Sequence, residues 1–231
     1  MSSRSRLNNG QPSGAVRQRS FEIALICTGN RFRSPLAEGF LRNYGRDLPL
    51  TLQSFGTMDI GPLPPLPEAL EAARTYGLDL DRHRACSLGS TRLTEADLIV
   101  GFERIHVARA VIDAGATRQR TFTLPEIASL LALLPTAHGA PEADRARERV
   151  ARAHALRAAG HELAEFAELA DPLGGPPRGY SELGARLADL CQSVLRGLFG
   201  DSTTLHHGRP PARFPEHGER SFHVSHQDGR C

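Results

Sequence analysis

Short apolar segments alternate with longer segments of helical periodicity through the middle of the chain. A short apolar run at 21–26 has the length and composition of a buried parallel strand, 51–55 and 96–100 are predicted as further strands, and 120–123 is a candidate for a fourth. Segments with helical spacing of apolar residues follow these runs. This succession predicts an α/β fold, a four-stranded parallel sheet with helices on both faces.

The predicted helices are marked by apolar residues that recur every three or four positions. The members of these stripes are Leu36, Phe40 and Tyr44; Leu70, Ala73 and Tyr76; Ile105, Ala108, Val111 and Ile112; the segment 125–134; and Leu183, Leu187, Leu190, Val194 and Leu198. Ser34 and Pro35 predict the start of the first helix, because Ser is a good N-cap and Pro suits the first turn. Gly77 predicts the end of the second helix.

The two ends of the chain differ in composition from its middle. Residues 1–20 are rich in Ser, Gly, Asn and Arg, and residues 201–231 contain few large apolar side chains. Both segments are predicted to be disordered tails. The intervening residues 21–200 form one predicted domain, in which the Ala-rich, charged segment around 135–165 is expected to add one or two surface helices.

Composition restricts the classes of function. A net charge of +2 over 231 residues gives no indication of nucleic-acid binding, and no stretch approaches the roughly 18 apolar residues expected of a membrane-spanning helix. The cysteines Cys27, Cys86, Cys191 and Cys231 are too far apart for a Cys-x-x-Cys zinc site or a dense disulfide framework. Together with the absence of an apolar signal sequence in residues 1–20, this pattern predicts a cytoplasmic protein with reduced thiols.

Residues 27–34, with the sequence CTGNRFRS, have the features of an anion-binding loop. Cys27 ends a predicted strand and Ser34 opens a helix, so loop N–H groups and the helix N-terminus would surround an anion. Arg33 supplies a planar guanidinium that can bind two phosphate oxygens, and Gly29 is expected to adopt a backbone angle that a side chain would penalise. The same positive field favours the thiolate form of a cysteine, which would face the bound phosphate as a nucleophile.

The loop and the proline that follows it resemble the signature loop of the low-molecular-weight protein tyrosine phosphatases. Three further stretches occur in the order found in that family: SFGT at 54–57, HRA at 83–85 and ADLIV at 96–100. The dipeptide Asp171-Pro172 stands near the C-terminus, where the family has its general acid. The resemblance covers roughly residues 21–198, and TFTL at 121–124 with the insert after it resembles actinobacterial members.

This resemblance implies a phosphatase that acts on a phosphorylated protein, with phosphotyrosine as the expected group, through a phosphocysteine intermediate and without a metal or other cofactor. Cys27 would be the nucleophile, Arg33 would bind the transition state, and Asp171 would protonate the leaving oxygen and then activate water. Asn30, Ser34 and Ser54 would hold the loop rigid. The full set of implied substrate-binding residues is Thr28, Gly29, Asn30, Arg31, Phe32, Ser34 and Ser54.

Some positions differ from the pattern common in the family. Phe32 stands where many members carry a second cysteine that protects the nucleophile from oxidation. Arg31 stands where tyrosine phosphatases tend to have an apolar residue and arginine phosphatases a threonine; it would attract acidic substrates and disfavour phosphoarginine, or it points to solvent. Leu173 replaces an aromatic residue that stacks on the substrate ring, and Tyr180 is an alternative source of that ring.

Other functions are compatible with the same loop. An arsenate reductase needs two further cysteines, one of them just after the third strand, where residues 101–103 read GFE. A sugar-transport phosphocarrier also holds phosphate on a cysteine, but it would not need Arg33 or Asp171. A regulatory protein that binds phosphate without turnover is the third alternative. No oligomeric state follows from these residues.

Overall fold

A computed structural model describes residues 19–139, 142–160 and 168–200, and these contain the predicted sheet of four parallel strands. The strands are β1 (Phe21–Cys27), β2 (Leu50–Gly56), β3 (Leu98–Gly101) and β4 (Thr121–Thr123). Their order in the sheet is β2-β1-β3-β4, and all three pairings are parallel. The predicted fold class is therefore confirmed.

The carboxyl ends of the two central strands lie at the point where the direction of the strand order reverses. β1 pairs with β2 on one side, where Cys27 faces Gly56, and with β3 on the other, where Ile26 faces Gly101. In open parallel sheets, ligands bind in the crevice at such a topological switch point. The segments that follow β1 and β3 are thus placed to form a site together.

Six α-helices connect or follow the strands in the described residues. They are α1 (Arg33–Tyr44), α2 (Pro67–Thr75), α3 (Arg104–Ala114), α4 (Leu124–Ala132), α5 (Ala143–Ala158) and α6 (Pro177–Phe199). Short 3-10 turns cover Leu88–Ser90 and Arg118–Arg120.

Successive residues of β1 face opposite sides of the sheet and enter two separate cores. Phe21, Ile23 and Leu25 belong to a large core built with α1, α2, α4, α5 and α6. Ala24 and Ile26 belong to a smaller core that is covered by α3. Helices therefore pack on both faces of the sheet.

The buried face of α3 is not the one that the apolar stripe predicted. Ile105 and Ile112 are 59% and 76% exposed. The helix instead buries residues that include His106, Ala110 and Ala114. α3 contributes Ala110 and Ala114 to the smaller core, and Ile105 and Ile112 stay outside it.

The start of α1 also differs from the prediction. The helix begins at Arg33 after Phe32, and no side chain caps its first turn. Ser34 is already inside the helix and is buried. Its hydroxyl is used in the loop instead, as described below.

The helix α5 lies within the segment 135–165. It buries Ala146, Val150 and Ala153 in the large core, so it is more than a surface addition. Its C-terminal turn is attached through Arg157, whose guanidinium lies 4.1 Å from the centre of the Phe122 ring and donates a hydrogen bond to Glu126.

The predicted tails lie almost entirely outside the described residues. Arg19 and Ser20, at the end of the predicted N-terminal tail, are described: Arg19 forms an ion pair with Glu22, and the Ser20 hydroxyl lies 2.6 Å from that of Thr51. Residues 201–231 are not described. Among the helices that are described, none combines the length and apolar character needed to cross a membrane.

The contact between α4 and α6 predicts a specific effect on stability. A Cβ added at Gly197 would lie 2.6 Å from Cβ of Leu131, which is fixed to the backbone of α4. Gly197→Ala should therefore force the helices apart and lower the free energy of unfolding by about 1–3 kcal/mol, despite the better helix propensity of alanine. Urea unfolding followed by circular dichroism measures this change.

Gly179→Ala is the matched control in the same helix. No atom lies within 4 Å of the Cβ that it would add. This variant should be as stable as the parent or up to about 1 kcal/mol more stable. Equal stabilities of the two variants would contradict the close helix contact.

Candidate active site

The sulfur of Cys27 is the centre of a hydrogen-bonded loop at the carboxyl end of β1. The residue is 2% exposed. Its Sγ accepts a hydrogen bond from the backbone N–H of Asn30 at 3.2 Å and lies 3.0 Å from Oγ of Ser34. The loop therefore folds back over the sulfur, and the first turn of α1 contributes a hydroxyl to it.

Asn30 holds the loop in a conformation that is uncommon for a residue with a side chain. Its φ is 51°, in the left-handed region, which asparagine tolerates better than most residues. Its amide nitrogen donates to Ser34 Oγ at 2.8 Å and to Ser54 Oγ at 3.0 Å, and its amide oxygen accepts from the N–H of Cys86. Its backbone carbonyl accepts a hydrogen bond from His83 Nε2 at 2.8 Å. These bonds together stabilise the turn beside the sulfur.

Ser34 can direct its single hydroxyl proton to either of two acceptors. Its Oγ accepts from the Asn30 amide and lies 3.0 Å from Cys27 Sγ and 3.4 Å from the carbonyl oxygen of Phe55. A negatively charged sulfur would attract this proton, because hydrogen bonds to charged groups are stronger. The helix-capping role predicted for Ser34 is wrong, and its contact with the sulfur explains why.

The unusual backbone angle predicted at Gly29 is found at Asn30. A Cβ at Gly29 would meet only Cδ1 of Ile60, at an ordinary distance of 3.7 Å. The glycine that the loop does require is Gly56 at the end of β2, where a Cβ would come within 3.0 Å of the carbonyl oxygen of Thr28. The close approach of the second strand to the loop therefore depends on a residue outside the loop.

Arg33 carries a buried positive charge with four oxygen partners. Its side chain is 1% exposed. Nη1 donates to Glu103 Oε2 at 2.5 Å and to the carbonyl oxygen of Leu169 at 3.0 Å. Nη2 donates to Thr28 Oγ1 at 2.9 Å and to Asp171 Oδ2 at 2.5 Å. These contacts use all four Nη protons and leave Nε–H as the remaining donor of the guanidinium.

Asp171 reaches the loop although it lies 138 residues from Arg33 in the sequence. Two bonds attach its segment to the region after β3: Leu169 N–H donates to the carbonyl of Phe102, and Glu168 accepts from the N–H of Arg104. The second carboxylate oxygen of Asp171 accepts from the N–H of Leu173. The structure thus brings the predicted acid to the predicted loop, in contact with the arginine.

A buried histidine from α3 completes the hydrogen bonds on the far side of the arginine. His106 Nδ1 lies 3.3 Å and 3.1 Å from the backbone nitrogens of Phe102 and Glu103, and both N–H groups donate to it. Its proton is therefore on Nε2, which lies 3.1 Å from Thr28 Oγ1. Burial and, to a smaller extent, the Arg33 cation lower the pKa of His106 to about 4, against smaller opposite effects of Asp171 and Glu168.

The remaining predicted substrate-binding side chains point in different directions. Arg31 donates from Nε to the carbonyl oxygen of Pro64 at 2.8 Å, so it lies along the proline-rich loop. Phe32 is buried and packs edge-on against Tyr180, with ring centres 5.2 Å apart. Tyr180 is 6% exposed, so the suggestion that its ring replaces the aromatic lost at Leu173 is wrong. Leu173 itself is 67% exposed.

Three residues of the site were missed by the sequence interpretation. His83 lies in a stretch that matched the family pattern, but no role followed from its position. Glu103 and His106 lie three residues apart just after a predicted strand, and polar residues at such a strand end were the available signal. No cluster of three or more His, Cys, Asp or Glu side chains in residues 19–139, 142–160 and 168–200 could hold a metal ion.

Comparison with known sequences places this site in a family. A family model described as low molecular weight phosphotyrosine protein phosphatase matches residues 22–130, a stretch that includes the whole loop and α3. The low molecular weight protein-tyrosine-phosphatase Etp of Escherichia coli is 31% identical over 100 residues, which is 43% of this chain and 66% of Etp. The chain belongs to the low-molecular-weight phosphotyrosine protein phosphatase family.

Other family members are similar over shorter or more distant matches. The probable low molecular weight protein-tyrosine-phosphatase EpsP of Ralstonia nicotianae is 35% identical over 79 residues, 34% of this chain. The match spans 52% of EpsP, about half the length of that relative. Asp171 lies beyond the stretch matched by the family model, so its assignment depends on the contacts described above.

Solved structures of low-molecular-weight phosphatases have the same fold. The protein tyrosine phosphatase from T. tengcongensis has a TM-score of 0.57 and 24% identity, covering 78% of this chain and all of that one. The YwlE arginine phosphatase from Geobacillus stearothermophilus has a TM-score of 0.55 and 21% identity, covering 81% of this chain and 97% of that one. At these identities the comparison supports the fold, and the phospho-residue preference is a separate question.

The neutral, buried His106 predicts a specific dependence of stability on pH. Its pKa of about 4 in the folded protein lies below the ordinary value of 6.5. Between these two pH values the unfolded chain binds a proton that the folded protein does not, so stability is lost as pH falls from about 6.5 to 4. His106→Asn should remove a component on the order of 3 kcal/mol from that loss, as measured by urea unfolding at pH 7, 6, 5 and 4.

The control is His138→Asn, at an exposed histidine far from α3 in the sequence. Both variants should be compared with the parent as differences between pH 7 and pH 4, because other groups contribute equally to all three proteins. A His106→Asn protein with the parent pH slope would show that the buried imidazole is not held neutral.

Proposed function

We propose that the chain is a cytoplasmic, cysteine-dependent phosphatase that hydrolyses phosphotyrosine in proteins through a phosphocysteine intermediate, and that residues 21–200 form its catalytic unit. The observation that carries this proposal is the convergence of Cys27, Ser34, Arg33 and Asp171 on one loop. A reactive thiolate also fits a reducing compartment, where cysteines stay available for catalysis.

In the first step, the Cys27 thiolate attacks the phosphorus atom opposite the ester oxygen. The P–S bond forms as the P–O bond to the leaving group breaks, and Asp171 gives its proton to the leaving oxygen. The Arg33 guanidinium and the N–H groups of the loop bear the charge on the phosphoryl oxygens. The products of this step are the phosphocysteine and the free tyrosine hydroxyl.

In the second step, water hydrolyses the phosphocysteine. The Asp171 carboxylate takes a proton from water as the water oxygen attacks phosphorus. The P–S bond breaks, its electron pair returns to the sulfur, and inorganic phosphate is released. Ser34 stabilises the departing thiolate, because its hydroxyl lies 3.0 Å from that sulfur and can donate to it.

Binding of substrate requires Asp171 to leave the arginine. In the structure the Asp171 carboxylate accepts a hydrogen bond from Nη2 of Arg33 and so occupies one of its two protons. A phosphate dianion competes for the same guanidinium with more charge and a matching bidentate geometry. Displacement of the carboxylate would free Asp171 to take up a proton and to approach the leaving oxygen.

The wall of the pocket is proposed to select against a cationic phospho-residue. The Arg31 guanidinium is held through Nε by Pro64, which keeps a positive charge near the loop. A phosphotyrosine ring carries no charge, whereas the guanidinium of phosphoarginine would be repelled by Arg31. The exposed Leu173 can contact an aromatic ring from the other side.

Substitutions at the nucleophile and at the acid should have different kinetic signatures. Cys27→Ser should abolish hydrolysis of both phenyl phosphate and p-nitrophenyl phosphate, while vanadate or phosphate still binds. Asp171→Asn should lower kcat/KM by about 10²–10⁴ for phenyl phosphate, whose leaving oxygen needs a proton, and much less for p-nitrophenyl phosphate, while kcat falls for both because hydrolysis of the phosphocysteine is common to them. Steady-state kinetics with the two substrates measures the contrast.

Asp113→Asn is the control for the acid, because Asp113 is a carboxylate paired with Arg109 at 2.8 Å on the surface of α3. It should leave both rates unchanged. An equal loss of kcat/KM for the two substrates in Asp171→Asn would contradict the acid assignment. A parent protein that binds vanadate without hydrolysis would be a phosphate-binding regulator, and arsenate turnover with thioredoxin would indicate a reductase.

The phospho-residue preference should depend on Arg31. The parent should hydrolyse a phosphotyrosyl peptide at least about 10-fold more efficiently than the matched phosphoarginyl peptide, because a like charge near the reacting group opposes binding. Arg31→Thr should lower the ratio of kcat/KM for the phosphotyrosyl peptide to kcat/KM for the phosphoarginyl peptide. Both values are measured by phosphate release. Arg178→Thr, at an exposed arginine on α6, should keep the parent ratio. A ratio unchanged in Arg31→Thr would remove Arg31 from substrate selection.

A further inference from the structure

The hydrogen bonds around Thr28 point to a function for the buried His106. The Thr28 hydroxyl accepts one hydrogen bond from His106 Nε2 at 3.1 Å and one from Arg33 Nη2 at 2.9 Å. A hydroxyl has two lone pairs, so both are used by these two donors. Thr28 is therefore a bridge between the imidazole on α3 and the guanidinium at the phosphate pocket.

His106 can donate a hydrogen bond only from Nε2. The backbone N–H groups of Phe102 and Glu103 both point at Nδ1, which fixes the proton on Nε2. The ring is fully buried and sits in the first turn of α3, next to the switch point of the sheet. Glu103 Oε2 lies 3.6 Å from Nε2, farther than Thr28 and far beyond its own 2.5 Å contact with Arg33. The short contact of Nε2 is thus the one with Thr28.

We propose that His106 is a positioning residue for the phosphatase reaction, holding the Thr28 hydroxyl so that it fixes Nη2 of Arg33 towards the phosphoryl group. This inference rests on the proposed function and adds a residue to it. The fixed orientation matters when substrate binds, because Asp171 then leaves Nη2. After that exchange, Thr28 is the protein partner that still holds this nitrogen, while Glu103 and the carbonyl of Leu169 hold Nη1.

The expected effect is on the chemical step more than on ground-state binding. A guanidinium that is free to rotate still attracts a phosphate through its charge. Its N–H groups are then less well aligned with the transition state, and small misplacements lower the rate by up to about 100-fold. His106→Asn keeps an acceptor for the two backbone N–H groups and removes the Nε2 donor. Thr28→Val removes the hydroxyl from the other end of the same bond at nearly constant volume.

The experiment is a double-mutant cycle with p-nitrophenyl phosphate. Each single variant should lower kcat roughly 10-fold with a smaller change in KM, and the double variant should be no worse than the worse single one, because both remove the same link. Thr28→Ser should recover most of the activity lost in Thr28→Val. His138→Asn serves as the control and should match the parent.

The proposal would be overturned if the fold reductions in kcat of the two single variants multiplied in the double variant. A parent-like kcat in His106→Asn would overturn it as well. Loss of activity caused by unfolding is avoided by measuring kcat at a temperature well below the midpoint of thermal unfolding of each variant. If His106→Asn does not fold, imidazole nitrogen NMR of the parent decides. A protonated Nε2 whose signal shifts on saturation with vanadate supports the proposal, and a protonated Nδ1 or an unresponsive signal contradicts it.

The proposed phosphatase function and the proposed role of His106 would be refuted by different results. A parent protein without any phosphatase activity would refute the proposed function. A parent that hydrolyses p-nitrophenyl phosphate, with His106→Asn equally active, would refute only the positioning of Arg33 through Thr28.

Discussion

The buried positive charge of Arg33 is the constraint on which the rest of the site depends. A cation that is 1% exposed is costly unless anions or dipoles surround it. Glu103 and Asp171 supply two carboxylates, and Thr28 and the carbonyl of Leu169 supply neutral oxygens. These partners come from three separate parts of the sequence. The requirement to compensate one charge therefore joins the loop after β1, the start of α3 and the segment that carries the acid.

The two carboxylates on this guanidinium have different surroundings. Glu103 lies between β3 and α3 with its side chain 24% exposed, whereas the side chain of Asp171 is 37% exposed and lies on a segment without regular structure. A phosphate that competes for Arg33 will displace the more exposed partner first, because that partner can be solvated when it leaves. The same ion pair that compensates the charge of the buried arginine thus holds Asp171, the proposed acid, beside the loop. The Arg33–Asp171 ion pair would therefore serve both the stability of the fold and the proposed catalysis.

The strands and the loop were predictable from residues close in sequence, and the distant Asp171 from the family resemblance, whereas several contacts set by tertiary packing were not. The strands, their parallel arrangement and the position of the loop follow from local apolar runs and from Cys27 and Arg33 at the junction of strand and helix. The predicted helix cap at Ser34 was wrong, although its hydroxyl does contact the sulfur and Asn30 as a loop residue. The left-handed angle is at Asn30, whose amide has partners on β2 and beyond it. The buried face predicted for α3 was also wrong because of tertiary packing. Ile105 and Ile112 have the right spacing, but the residues that α3 contributes to the smaller core are Ala110 and Ala114.

The start of α3 controls both sides of the arginine. Its N-terminal residues include Glu103, which binds Nη1, and His106, which binds the hydroxyl that holds Nη2. The backbone at the same place binds the acid segment, through the carbonyl of Phe102 and the N–H of Arg104. A small shift of this helix end would therefore move the guanidinium and the acid together, which keeps their relative positions constant. In a parallel sheet this is the natural place for such control, because the helix after β3 begins beside the loop after β1 at the switch point. The sequence of the loop alone thus specifies the proposed nucleophile and anion-binding groups, while the alignment of the proposed acid, Asp171, with them depends on the third strand and its helix.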